Sequence, residues 1–137
     1  MDFNSILFQA HSGWRWLVLL VIVITTLKVL LGWLAGQKWT GFDTNLLRLT
    51  NVVLSIQVVL GIVLYVFYLW QGRPDGVGFG FAHALPALLS LGGVGFASAR
   101  SRKAEGSRRK FMLASIGMLF TVLMIYGALA RVGGPFV

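Results

Sequence analysis

The side chains able to do chemistry are few. The chain has two histidines, His11 and His83, no cysteine, and four acidic residues, Asp2, Asp43, Asp75 and Glu105. Without cysteine there can be no disulfide, thiolate nucleophile, Cys-ligated iron–sulfur cluster or covalently attached c-type haem. No convincing triad accompanies so few acids, which argues against an independent hydrolytic enzyme. What two imidazoles can do is ligate. At matched depth on two facing helices they could hold an iron porphyrin, haem b, between them, each second ring nitrogen donating to a nearby acceptor. One histidine alone would suffice for a chlorophyll-type pigment. The plainer alternative is a pair of histidines that meet water and lipid headgroups. A zinc site fits poorly, because Asp75 could join only from a Gly-rich loop.

The elements that must position these residues are membrane spans. From Trp16 to Leu27 no residue is charged, and apolar residues resume after Lys28 as far as Ala35. Crossing a hydrocarbon layer of about 30 Å takes about 20 helical residues. The same reading predicts spans at 14–36, 46–70, 81–99 and 111–130 in one membrane domain. The chain is 137 residues long and 57% hydrophobic, more apolar surface than a soluble protein of this size could bury. The expected fold is all-α, an integral membrane four-helix bundle running up-down-up-down. The segment before Trp14, FNSILFQA, reads as a short interfacial helix or as the first turns of helix 1, with Gly13 a place to bend. Met1-Asp2-Phe3-Asn4 lacks the basic start of a signal peptide, so the first span is expected to be retained.

Charge orients the spans. Lys38, Arg48, Arg100, Arg102, Lys103, Arg108, Arg109 and Lys110 fall on one side, and Arg15, Arg73 and Arg131 on the other, a Lys/Arg count of 8 against 3. The positive-inside rule puts the basic loops in the cytoplasm and both termini outside. The net charge of +8 is then a feature of membrane topology, not of nucleic-acid binding. His11 and His83 open spans 1 and 3, which run in the same direction and lie diagonally across an up-down bundle. Both are expected near the outer surface. Ala84, Ala87 and Ser90 leave room beside His83. Arg15, one turn beyond His11, could turn inward to pair with a haem propionate.

Other polar residues interrupt the spans. Gln57, near the middle of span 2, should face the bundle and make an interhelical hydrogen bond, or else bond a quinone or a porphyrin edge. Asn51 and Ser55 mark the same inward face. Lys28 is expected to snorkel toward the cytoplasmic surface, the alternatives being an ion pair with Asp43, an anionic lipid, a quinone or a partner subunit. Trp14 and Trp16 read as interface anchors, as do Tyr65, Tyr68 and Trp70. Gly32 and Gly36 form a small-xxx-small pair, and Gly92, Gly93 and Gly95 thin the middle of span 3 for close contact with a helix or a flat cofactor. Pro86 is expected in the first turn of span 3, where a missing N–H costs little. Pro74-Asp75-Gly76 is a turn signal, and Gly133-Gly134-Pro135 ends the chain's last helix.

The string His11-Ser12-Gly13-Trp14-Arg15-Trp16-Leu17-Val18 resembles the opening of a family of small bacterial four-helix membrane proteins labelled cytochrome b-like. The resemblance continues through Gly32-Trp33-Leu34, Lys38-Trp39-Thr40 with Asp43, the stretch from Gln57 to Tyr65, and a histidine opening span 3 before a basic loop. It implies haem b, electron transfer, and His11 and His83 as ligands. The chain departs from the family pattern where proline directly follows the second histidine. Here Ala84 follows, with Pro86 later, and Ala82 stands where an acidic residue is usual.

Two functions compete on this reading. The first is a haem b electron-transfer subunit of the bacterial inner membrane, multi-pass, with bis-His ligation near the extracytoplasmic side. The second is a non-catalytic structural or assembly subunit of a larger membrane complex or homo-oligomer, associated with a pigment or quinone. A transporter is disfavoured by the absence of a broken-helix pair. The run from Gly76 to Gly80 follows no strand and is not a dinucleotide fingerprint.

Overall fold

A computed structural model describes residues 2–72 and 76–131, with the side chains of 2–72 and 81–131. The described residues form four helices: α1 (Phe3–Leu34), α2 (Gly41–Trp70), α3 (Gly76–Lys103) and α4 (Ser107–Ala130). All four are longer than the spans read from hydropathy. The difference is greatest at the start of α1, where no separate interfacial helix forms. Asp2 caps the helix, its carboxylate accepting from the Ser5 amide at 2.8 Å. Leu7 is buried, and the Phe3 ring packs edge-on against Phe67 of α2 at 5.1 Å. These contacts carry the helix through Gly13 without a break. At about 1.5 Å per residue α1 is about 48 Å long, more than a bilayer core requires.

The α3 helix also begins before its expected span, at Gly76, so Pro86 lies inside the helix rather than in its first turn. Proline has no N–H, and the Ala82 carbonyl therefore lacks its usual donor one turn later. Of the Pro74-Asp75-Gly76 turn, Pro74 and Asp75 lie outside the described residues, as does the Gly133-Gly134-Pro135 tail. The α1–α2 connection turns at Gly36, whose φ of 64° suits glycine, so Gly36 is not half of a helical packing motif. Thr40 opens α2, its amide donating to the Asp43 carboxylate at 3.0 Å.

The helices form an up-down-up-down bundle. Each packs on the next, and α4 returns to pack on α1, leaving α1 diagonal to α3 and α2 diagonal to α4. Buried positions follow helical spacing: Val18, Ile22, Thr25, Val29 and Gly32 on α1, and Phe111, Ala114, Met118 and Thr121 on α4. The α3–α4 seam is close because Gly93 and Gly117 face each other's backbone, and a Cβ at either would collide. Gly92 and Gly95 face open space instead.

Large apolar residues line the exterior, and small hydroxyl residues are set within the apolar core. Leu20, Leu27, Leu31, Val59 and Leu123 all point outward. Inside, Thr50 donates to the Leu46 carbonyl at 2.8 Å and accepts from Thr25 at 2.7 Å, joining α2 to α1. Thr121 donates to the Ser90 carbonyl at 3.0 Å, joining α4 to α3. This arrangement suits lipid, which rewards no exposed polar group. All four helices are long and apolar enough to cross a membrane, and the chain is a multi-pass membrane protein.

Candidate functional site

His11 follows the start of α1 by eight residues, and His83 follows that of α3 by seven. Because α1 and α3 lie on a diagonal and run the same way, the two imidazoles meet across the bundle axis. Their ring centres are 6.1 Å apart and their planes are perpendicular, at 89°. Each ring is positioned by a different helix. Gly61 of α2 leaves the space that the His11 ring occupies, since a Cβ there would come within 2.9 Å of its Cε1. His83 Nδ1 lies 2.8 Å from the Ala128 carbonyl near the end of α4. The last four carbonyls of a helix have no intrahelical donor, so this oxygen suits a side-chain partner. A carbonyl only accepts, so Nδ1 carries the proton, and in the neutral ring the lone pair is on Nε2.

The rings border a cavity of about 490 Å³ to which all four helices contribute. That volume lies within the range of small-molecule and cofactor sites, about 300–1,000 Å³. Its wall is mainly apolar, with Val58, Ala84, Ala87 and Ile125 among its members. The four residues singled out in the sequence, His11, Arg15, Gln57 and His83, all line it. Gln57 makes the expected interhelical bond, its Nε2 donating to the His11 carbonyl at 3.0 Å. Its Oε1 and the Nδ1 of His11 are buried without a hydrogen-bond partner. An unmet buried group costs about 1–3 kcal/mol, so the polar edge of this cavity is left energetically incomplete.

Several lining residues were not legible as site residues. Tyr65 and Tyr68, expected at headgroup level, border the cavity, as does Arg131 at the end of α4. Arg131 and Arg15 come from the same end of the bundle, a juxtaposition that requires α4 to return beside α1. Trp14 is likewise not an interfacial anchor. It packs on the core, and its indole N–H donates to the Val53 carbonyl at 2.9 Å. Trp16 does face outward, with the Arg15 guanidinium 5.2 Å from its ring centre.

At the other end of the bundle Lys28 forms an ion pair instead of snorkelling alone. Its ammonium lies 2.6 Å from Asp43 and 3.2 Å from the Gln37 amide oxygen. It also lies 5.1 Å from the centre of the Phe111 ring. Among the described residues no group of three or more His, Cys, Asp or Glu side chains gathers as a metal site. No family model, curated protein or solved structure matches the chain.

Proposed function

We propose that this chain is a non-catalytic membrane subunit that holds an apolar ring ligand, a quinone or a pigment, in the cavity beside His11, Gln57 and His83. The observation that carries this reading is the union of an apolar cavity of about 490 Å³ with two buried polar atoms at its edge, His11 Nδ1 and Gln57 Oε1, that lack partners. A quinol hydroxyl would donate to the Gln57 oxygen, and its ring would lie among the apolar side chains. A chlorin would need one imidazole as its axial ligand. The broad apolar exterior is suited to lipid and to neighbouring subunits of a larger complex.

A second reading, haem b with His11 and His83 as axial ligands, is favoured by the ring spacing. Two imidazoles on opposite sides of a metal, with bonds of about 2 Å, have centres roughly 6 Å apart. The 6.1 Å separation and the Nδ1 anchoring of His83 suit that arrangement. Arg15 and Arg131 would then face the propionates. Haem would supply one-electron chemistry, and the chain would supply ligation and a water-poor slot.

One experiment separates these readings. Protein purified in mild detergent is scanned oxidised and dithionite-reduced, then extracted into organic solvent for chromatography. A stoichiometric quinone or chlorin supports the first reading. Sharp b-type bands that vanish in His11→Ala and His83→Ala support the second. A protein folded and intact with its partners, yet free of all three, would overturn both.

A further inference from the structure

A second, smaller cavity lies at the opposite, basic end of the bundle, between the first turns of α2 and the last turns of α3. Its volume is about 100 Å³. Where the large cavity is mainly apolar, this one is lined by polar side chains together with Leu47. Arg48 and Asn51 enter from α2, and Ser98, Ser101 and Arg102 enter from α3. The two arginines thus converge from adjacent antiparallel helices, and among the described residues no carboxylate lines the space between them. Asp43, the acidic residue nearest in sequence to Arg48, is committed to Lys28 and to the Thr40 amide.

The α3 side of the pocket carries local hydrogen bonds. Arg102 Nε donates to the Ser98 carbonyl at 3.2 Å, which holds the guanidinium against the end of α3. Ser101 Oγ donates to the same carbonyl, also at 3.2 Å. Ser98 Oγ, by contrast, is buried with no hydrogen-bond partner. Lys110 adds a further cation behind the pocket, its Nζ donating to the Ser101 carbonyl at 2.7 Å. A cationic pocket with an unused hydroxyl calls for an oxyanion, and guanidinium pairs suit phosphate geometry. Its surroundings indicate the source. Leu49, Val52 and Phe96, close in sequence to the pocket residues, are exposed apolar side chains on spans that cross the bilayer.

We propose that this pocket binds the phosphodiester of an anionic phospholipid, with Arg48 and Arg102 flanking the phosphate and Ser98 supplying a hydroxyl. The acyl chains lie along the outer faces of α2 and α3. The site is separate from the histidine cavity and does not depend on what that cavity holds. Phosphatidylcholine, which carries its own quaternary cation beside the phosphate, binds less tightly.

The test uses the full chain in detergent, titrated with phosphatidylglycerol, with phosphatidylcholine or with sodium phosphate, and read by native mass spectrometry. Phosphatidylglycerol should be retained in preference to phosphatidylcholine. Arg48→Gln/Arg102→Gln should weaken that retention about 30-fold. Arg48→Lys/Arg102→Lys should keep much of it, which separates loss of charge from loss of fold. Equal retention of the two lipids, or equal binding by wild type and the glutamine variant, would overturn the proposal. Displacement of phosphatidylglycerol by millimolar sodium phosphate would reassign the pocket to free phosphate and overturn the lipid source.

Discussion

The Lys28 ammonium lies 2.6 Å from the carboxylate of Asp43, a residue only 1% exposed, across the turn that joins α1 to α2. The second carboxylate oxygen accepts from the Thr40 amide, so one buried acid both starts α2 and neutralises the cation inside α1. The lysine is 30% exposed and the aspartate is not, so the two partners are not equivalent.

Lys28→Met should therefore be the more damaging single change, because it leaves a buried carboxylate without its cation. The expected loss is about 3 kcal/mol. Asp43→Asn can keep an oxygen for the Thr40 amide and leaves the lysine able to reach the surface, so it should cost about 1–2 kcal/mol. The double variant should recover part of the Lys28→Met loss. Reversible unfolding in mixed detergent measures all three, and an additive double variant would contradict the coupling.

Gly32 and Phe111 share one space, since a Cβ on Gly32 would collide with the Phe111 ring. Gly32→Ala should cost about 1–3 kcal/mol, and Phe111→Leu in the same chain should relieve part of it. Gly92→Ala, which meets open space, should be stable or slightly stabilised in the same assay.

Gly61→Ala is a test of the histidine cavity that leaves both imidazoles in place. The added methyl displaces the His11 ring and should reduce ligand occupancy about 10-fold or more, while the helical circular dichroism remains unchanged. Occupancy is read from the optical spectrum or from the extracted ligand. Full occupancy would show that the position of His11 does not matter to binding.

Asp2 lies outside the span, and its bond from the Ser5 amide holds its carboxyl below the usual carboxylate value. A depressed value means that the cap contributes above the unfolded value and is lost as pH falls through the folded one. Amide exchange in the first turn of α1, corrected for intrinsic rates, should therefore rise on acidification. Asp2→Ala should raise it at neutral pH and remove that dependence.

Much of the architecture was legible because a bilayer makes simple demands. Uncharged runs such as Trp16 to Leu27 and the basic cluster from Arg100 to Lys110 are one-dimensional signals. The inward face was harder to read, because the helices carry apolar residues on every side. Its marks are the small hydroxyls, Thr25, Thr50, Ser90 and Thr121, whose donors have no outlet into lipid. His11 and His83 were legible as a pair from their matched positions in parallel spans. Tyr65, Tyr68 and Arg131 were not, since only the helix rotations decide that they turn toward the cavity. Trp14 reads as an anchor by composition, yet the buried carbonyl of Val53 offers its N–H an acceptor that sequence cannot display. Lys28 had several outcomes open to it in the sequence, and the geometry of the α1–α2 turn brings it to Asp43.

The return of α4 to α1 divides the bundle's contacts into two kinds. The Thr25–Thr50 and Lys28–Asp43 contacts lie within the α1–α2 hairpin. The notch at Gly32 waits for Phe111, and the Trp39 amide waits for the hydroxyl of Ser107. The α1–α2 contacts therefore need only neighbouring helices, whereas the contacts that close the ring join the two helices farthest apart in sequence. Without α4 the α1 face at Gly32 would lack the Phe111 ring that fills it.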